Sequence, residues 1–437
     1  MKTLVVHLWG RIRTSFWFFP AMFVVAATVI ACATLAVDHI FEKQIASWLP
    51  KFQEVSADGV RAVLSTAATA VLTLTGVTFS ATLVALTLAS SQFGGRLLRN
   101  FIRSVPNQVT LGVLLANFVL CMIVLRSVGG VAGGEFIPHV SALAAFLATL
   151  GSLAVFIFFI HHIVVSLQAE NVVASVYSEL DGAIDEHFPD QRPDGEAEQD
   201  ASEEKLDWDK IDQEIAVVAT RSGYVQAVDR EGLVALCSRL DLCCRVLHRP
   251  GQFVQHGASL IAIGGEKASD LGEEEREGFL ERIYIGRMRT AEEDFQFGLR
   301  QLVEVALRAL SPGINDPFTA MNCIDYLGAA IAKAAQRSLP ERVFADENGT
   351  PRVQVRPLVF GDLVATGFDQ IRQAAGTRPD IAIRLLDALA GIFSQVKLET
   401  HCEIIRSYAE LVADTALAAT EVGRDQEAIR KAYEQIG

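Results

Sequence analysis

The spacing of apolar and charged residues divides this chain into two parts with different rules. In the first 170 positions, no Asp, Glu, Lys or Arg occurs in 14–37, 62–95, 104–125 or 136–169. A helix that crosses a bilayer needs about 20 predominantly apolar residues. All four intervals meet that length, so the pattern predicts four transmembrane helices over 1–170. The first run, FWFFPAMFVVAATVIACATLAV, follows Arg11 and Arg13 as a signal peptide would. It exceeds the 7–15 apolar residues usual there and three more spans follow, so it is expected to remain as a helix.

Beyond 170 the pattern changes twice. A helical extension leads into Asp190–Asp212, DQRPDGEAEQDASEEKLDWDKID, which is acidic and almost free of large apolar residues. Such a stretch buries too little surface to offset its ordering entropy and is expected to be a flexible linker, so 171–213 is read as extension plus linker. Next, IAVVAT (215–220), GYVQAV (223–228) and RVLH (245–248) are short, β-branched and bounded by Gly, Asp or Pro. They predict strands, with GLVALCSRL (232–240) as a short helix between them. Pro250 to Ile263 resembles the Pro-Gly turn of biotinyl/lipoyl-type β-sandwich modules, which implies a small β-rich module over 214–268. Lys267 does not sit between methionines on a hairpin tip, so a swinging-arm lysine is not indicated.

The remainder, 269–437, reads as mainly helical. In FQFGLRQLVEVALRAL (295–310), Leu299, Leu302, Val303, Ala306, Leu307 and Leu310 share one face. Arg300, Glu304 and Arg308 stand at ion-pair spacing on another. A corner follows. Ser311, Pro312 and Gly313 end the helix, because the residue before Pro avoids the α region and Gly tolerates left-handed geometry. Asn315 precedes Asp316, an expected N-cap, and Pro317 takes the first helical position. Asn-Gly at 348–349 marks a β-hairpin within 343–356, and amphipathic helices are expected over 358–376, 379–397 and 400–421.

Composition adds limits. The 437 residues are 51% hydrophobic and only 21% charged, with a net charge of −14. An acidic chain lacks the basic footprint that nucleic-acid binding requires. Lys2, Arg11 and Arg13 precede the first span, and Arg96, Arg99 and Arg103 follow the second. By the positive-inside rule these segments and both termini are expected in the cytoplasm. Five of the seven cysteines, Cys237, Cys243, Cys244, Cys323 and Cys402, then face a reducing compartment and are expected as thiols. Cys243, Cys244, His248 and His256 are zinc-type ligands in one short stretch, with Cys244 and His248 expected on one strand face. Their spacing matches no common zinc finger, and neither metal nor cofactor is expected. No GxxxxGK[ST], HExxH, GxSxG or CxxC occurs, so enzyme chemistry is not expected.

The blocks SATLVALTLASSQFGGRLLRNF (80–101) and DFQFGLRQLVEVALRALSPGINDPFTA (294–320) resemble a bacterial family of inner-membrane proteins, domain of unknown function 2254. The resemblance extends over nearly the whole chain. It implies an α-helical integral membrane protein with a cytosolic α+β region and carries no established activity.

The candidate chemistry therefore rests on the second span. Thr66, Thr69, Thr73, Gly76, Ser80, Thr87 and Ser91 recur at helical spacing on one face, while Thr75, Thr78 and Thr82 fall away from it. Small polar faces pack helices closely, and they can also line a water-filled path. With Arg96, Arg99 and Arg103 at its cytoplasmic mouth, such a path leans towards anions. Four helices leave little room for a lumen, so the expectation is a homo-oligomer passing a small ion through the lipid bilayer, with the cytosolic part as a gating collar. The alternative is a membrane-anchored sensor or scaffold whose cytosolic domain binds a protein or small-ligand partner. The 311–317 segment reads first as a structural corner, with a partner or ligand contact as its alternative. No acidic or lysine residue is expected inside a span, which weighs against a proton-coupled pump.

Overall fold

The computed structural model describes residues 17–41, 56–94, 105–129, 136–189, 214–290 and 293–436. The chain forms two compact units, residues 1–171 and 172–437. The acidic stretch predicted as a linker lies outside the described residues.

Four helices make up the first unit: α1 (Phe18–Ile40), α2 (Ala57–Phe93), α3 (Val105–Ser127) and α4 (His139–Ser166). Each is long and apolar enough to cross a membrane. Helices suit that setting because every interior N–H and C=O bonds within the segment, leaving none to face hydrocarbon. The hub is α3, with 56% of its apolar window buried against 17% to 22% in the other three. Its close approach to α1 depends on Gly112, where a Cβ would come within 2.8 Å of the Phe23 ring and 3.2 Å of the Pro20 Cα. Ser56 starts α2 by accepting from the Gly59 amide at 3.1 Å. The helix ends at Phe93, with Gly94 at φ 106°.

The second unit opens with α5 (Ala169–His187), which follows α4 after a two-residue break. It buries Val173, Val176, Leu180 and Ile184. Then come β1 (Glu214–Val218), β2 (Gly223–Val228), α6 (Arg230–Leu240), β3 (Cys243–Val246), β4 (Phe253–Val254), β5 (Ser259–Gly264), α7 (Glu273–Leu280) and β6 (Ile283–Gly286). Asp229 caps α6 through the Gly232 amide at 2.9 Å, and Asp241, at φ 54°, ends it. Helices α8 (Phe295–Ala309) and α9 (Pro317–Ala335) precede the hairpin β7 (Val343–Ala345) and β8 (Pro351–Val355). The chain closes with α10 (Phe360–Ala375), α11 (Pro379–Phe393), α12 (Glu399–Ala419) and α13 (Gly423–Tyr433).

The strands form two sheets, ordered β1-β5-β3-β8-β7 and β4-β2-β6. They share one core containing Val225, Val246, Ile261, Ile263, Phe279, Ile285 and Val353. The β-rich part therefore reaches past the predicted limit at 268. Strand β6 completes the smaller sheet. The hairpin is not an ornament of the helical layer, because β8 pairs in parallel with β3, setting Cys244 opposite Val353. Without β8 that side of β3 would be an open edge. The helical layer buries Leu299 and Leu302 of α8, Leu327 and Ile331 of α9, Leu363 and Phe368 of α10, and Leu385 and Leu389 of α11. Helices α10 and α11 each bury a single 3.6-residue stripe, as a layer between core and solvent requires, whereas α9 is covered on most sides, with Ala330, Ile331, Ala332, Ala334 and Ala335 all buried.

Candidate functional site

Helix α2 has a buried face and an exposed one, and the exposed one mixes small polar residues with large apolar ones, Leu72, Val77, Phe79, Leu83, Val84 and Leu88 among them. Leu64, Ala67, Ala68, Val71, Thr75, Thr78, Ala85 and Ala89 are buried, and the smallness of most of them lets α2 lie close to its neighbours. Thr66, Thr69, Thr73, Gly76, Ser80, Thr87 and Ser91 are all exposed, on the side that the bundle does not cover. A Cβ built on Gly76 would meet nothing within 4 Å. The hydroxyls of Thr66, Thr69, Thr73 and Thr87 donate to the carbonyls of Ala62, Ser65, Thr69 and Leu83 at 2.8–2.9 Å. Ser91 reaches Leu88 O at 2.9 Å. Their donors are thus satisfied within the helix, while oxygen lone pairs and small volume stay on the outer surface. Arg96, Arg99 and Arg103, the expected mouth, lie outside the described residues.

Inside the bundle the space is filled. Leu64, Val71, Leu114 and Val124 are at most 1% exposed. Among the described residues, buried polar groups interrupt that apolar packing, Asn107 and Gln108 of α3 among them, and two hydrogen-bonded arrangements link helices. On α3, Asn117 donates to Ser152 Oγ at 2.9 Å and to Thr149 Oγ1 at 3.3 Å, tying α3 to α4. The Cys121 thiol donates to Asn117 Oδ1 at 3.6 Å.

The second arrangement corrects an expectation. Asp38 falls inside α1 and is only 3% exposed, so a carboxylate does lie within a span. Its oxygens accept from the Val140 and Ser141 amides, both at 2.9 Å. They also accept from the Ser141 hydroxyl at 2.6 Å. One helix thus supplies the N-terminal cap of another, where the amides are otherwise unmatched and the helix dipole favours negative charge. The sequence places Asp38 just past an apolar run, where it reads as a loop residue. Its partner is more than a hundred positions away.

In the second unit, the 311–317 corner has a defined geometry. Asp316 accepts from the Thr319 amide at 3.1 Å and the Thr319 hydroxyl at 2.6 Å, with Pro317 opening α9. The Ser311 hydroxyl donates to Arg308 O at 2.6 Å. Ser311 O receives the amides of Ile314 at 3.1 Å and Asn315 at 2.9 Å. The left-handed residue is Asn315, at φ 51°. Gly313 lacks a positive φ, contrary to the sequence expectation, because the turn closed on the Ser311 carbonyl puts its left-handed residue at Asn315. The Asn315 side-chain oxygen accepts from Arg378 at 3.1 Å, so the corner is fastened to the start of α11. Ile314 (43%) and Phe318 (79%) remain exposed beside it.

The Cys/His stretch is dispersed. Cys244 is buried in the shared core, and Cys243 donates to Gly264 O at 3.3 Å. Burial pushes the Cys243 thiol up from its ordinary range. Strand β3 ends at Val246, so His248 shares no strand face with Cys244; its Nε2 lies 3.1 Å from Ser259 O. No group of three potential metal ligands occurs among the described residues.

Comparison with known proteins agrees with this architecture. Over 393 residues the chain is 31% identical to an uncharacterized protein of Mycobacterium tuberculosis, covering 85% of this chain and 74% of that protein. An uncharacterized Mycobacterium bovis protein gives the same identity and coverage. No solved structure matches. The family described as predicted membrane protein, domain of unknown function 2254, matches residues 13–391. With its four apolar helices and its C-terminal unit of mixed sheets and helices, the chain belongs to that family.

Proposed function

We propose that this protein is an oligomeric conduit for a small ion in a bacterial inner membrane, with both termini cytoplasmic and the C-terminal unit as an assembly and gating collar. The observation that carries the reading is the outer face of α2. Seven small or hydroxyl-bearing residues stay exposed there, while the interior of a single bundle is filled. A water path along this face requires several copies arranged with their α2 helices inward. Arg96, Arg99 and Arg103 follow α2 in the sequence, and basic residues near a pore favour anions. The reading assigns no catalytic step and no cofactor. Liposomes carrying the full chain should pass chloride faster than potassium. Replacing the three arginines by Gln should shift that preference towards cations. A chain that is monomeric in native-like lipid, with no flux above empty liposomes, removes the conduit.

A second reading, a membrane-anchored sensor or scaffold, has its own support in the apolar pair Ile314 and Phe318 beside the corner. Loss of a partner contact on Phe318→Ser, with flux absent throughout, would favour it.

A further inference from the structure

The smaller sheet has an outward face that its own core does not use. In β4, β2 and β6, Val254, Val225, Val228, Ile283 and Ile285 point into the shared core. The alternating positions point out: Phe253 (54% exposed), Tyr284 (56%) and the half-buried Tyr224, followed beyond β6 by Met288 (61%). Tyr224 and Phe253 are cross-strand partners whose rings meet edge to face at 5.1 Å. Beside them Gly286 leaves room for the Gln226 side chain, which donates to Met288 O at 2.7 Å and holds that segment against the sheet. Soluble surfaces scatter their large apolar side chains, whereas here the Tyr224 and Phe253 rings touch, and Tyr284 and Met288 are exposed on β6 and just beyond it.

Charge is sorted along the same sheet. The register sets Gly223 opposite Val254 and Tyr224 opposite Gly286. One end therefore gathers Arg221 before β2, His256 after β4 and Arg287 after β6. All three are exposed, and the His256 amide donates to Ser222 Oγ at 2.8 Å, which keeps the first two adjacent. At the opposite end the charges are paired, Glu293 with Arg230 at 3.2 Å and Asp229 with Arg282 at 3.7 Å. In a chain of net charge −14, this leaves a cationic end beside an aromatic and thioether face.

We infer that this face docks on anionic lipid at the surface of a bilayer, the aromatic rings and Met288 entering the headgroup boundary while Arg221 and Arg287 meet lipid phosphates. Aromatic rings and long apolar side chains flanked by cations are the chemistry of interfacial binding. A bilayer is always at hand for a membrane protein, so weak contacts suffice. The inference does not depend on whether the chain conducts.

Hydroxyl-radical footprinting of the full-length chain, read by peptide mass spectrometry in nanodiscs holding one copy each, tests it. Each arginine at an anionic surface contributes a factor of about 5 to the docked population, so two contribute about 25-fold. Oxidation of Phe253, Tyr284 and Met288 should therefore drop in phosphatidylglycerol discs relative to phosphatidylcholine discs, while that of Phe318 stays constant. The protection should disappear in the Arg221→Gln/Arg287→Gln double variant, and for the parent chain at high salt. Equal oxidation in the two lipids would overturn the proposal. So would protection that needs two copies per disc, because a second chain would then be the occupant.

Discussion

Asparagine at position 38 separates a structural clamp from a proton carrier. The Asp38 carboxylate receives two amides of α4 at 2.9 Å and the Ser141 hydroxyl at 2.6 Å, with both Ser141 bonds buried. Asn keeps one acceptor oxygen and turns an NH2 group towards the other donors. The lost cap bond costs about 0.5–2 kcal/mol, and the lost charge at a helix N-terminus about 0.3–2 kcal/mol. Together these give roughly 1–4 kcal/mol. Asp38→Ala leaves both amides unmatched and should cost more, whereas Ser141→Ala removes one hydroxyl bond, worth about 0.5–1.5 kcal/mol. Reversible unfolding in mixed micelles of rising SDS fraction, followed by circular dichroism, should rank stability as parent, Ser141→Ala, Asp38→Asn, Asp38→Ala. An Asp38→Asn chain as stable as its parent would refute the clamp. If that chain also lost flux, a titrating role would take its place.

Other residues give sharp expectations. Since Asp316 caps α9 through the Thr319 amide, Asp316→Ala should cost about 0.5–2 kcal/mol and Asp316→Asn much less; equal damage in thermal melts would mean that the charge itself is used. Gly251→Ala would place a Cβ against the buried Arg289–Asp294 ion pair at a residue with φ 87°. The backbone penalty alone is about 1–2 kcal/mol, so a melting temperature unchanged from the parent would contradict the packing described. Asp346 is held below its ordinary value of 3.8, first by the Arg352 hydrogen bond and also by the Thr350 and Asn348 amides. Its contribution to stability is therefore present above the unfolded pKa and lost as pH falls through the lower folded one. Asp346→Asn should flatten the acid limb of a stability–pH profile below about pH 4.

What the sequence made legible depended on distance along the chain. Uncharged runs locate the four helices because crossing a bilayer takes about 20 apolar residues. Asp316-Pro317 shows its capping role because both the cap and its amide lie within four residues. Asp38 is opaque for the opposite reason: its charge ends the apolar run, while the amides it serves begin another helix. The β3–β8 pairing of Cys244 with Val353 is equally hidden, because a short alternating strand names its inward face but not its neighbour. The left-handed position of the corner is hidden for a local reason. Two residues there tolerate left-handed geometry, and only the Ser311 carbonyl, receiving both following amides, selects between them. The outer stripe of α2 could be listed from spacing alone; that the bundle leaves it uncovered needed the packing of α3 and α4.

Thiol accessibility along α2 tests the conduit most directly. Cysteines placed singly at Thr73 and Ser80 lie on the exposed stripe, and those at Thr75 (9% exposed) and Thr78 (1%) face the bundle. In oligomers reconstituted into liposomes, the account predicts that a small water-soluble thiol reagent modifies the first pair, slows ion flux, and leaves the second pair at the parent background. Unreacted thiols at Thr73 and Ser80 in an intact, assembled oligomer would mean that the stripe meets lipid or another helix rather than water, and the conduit would be wrong.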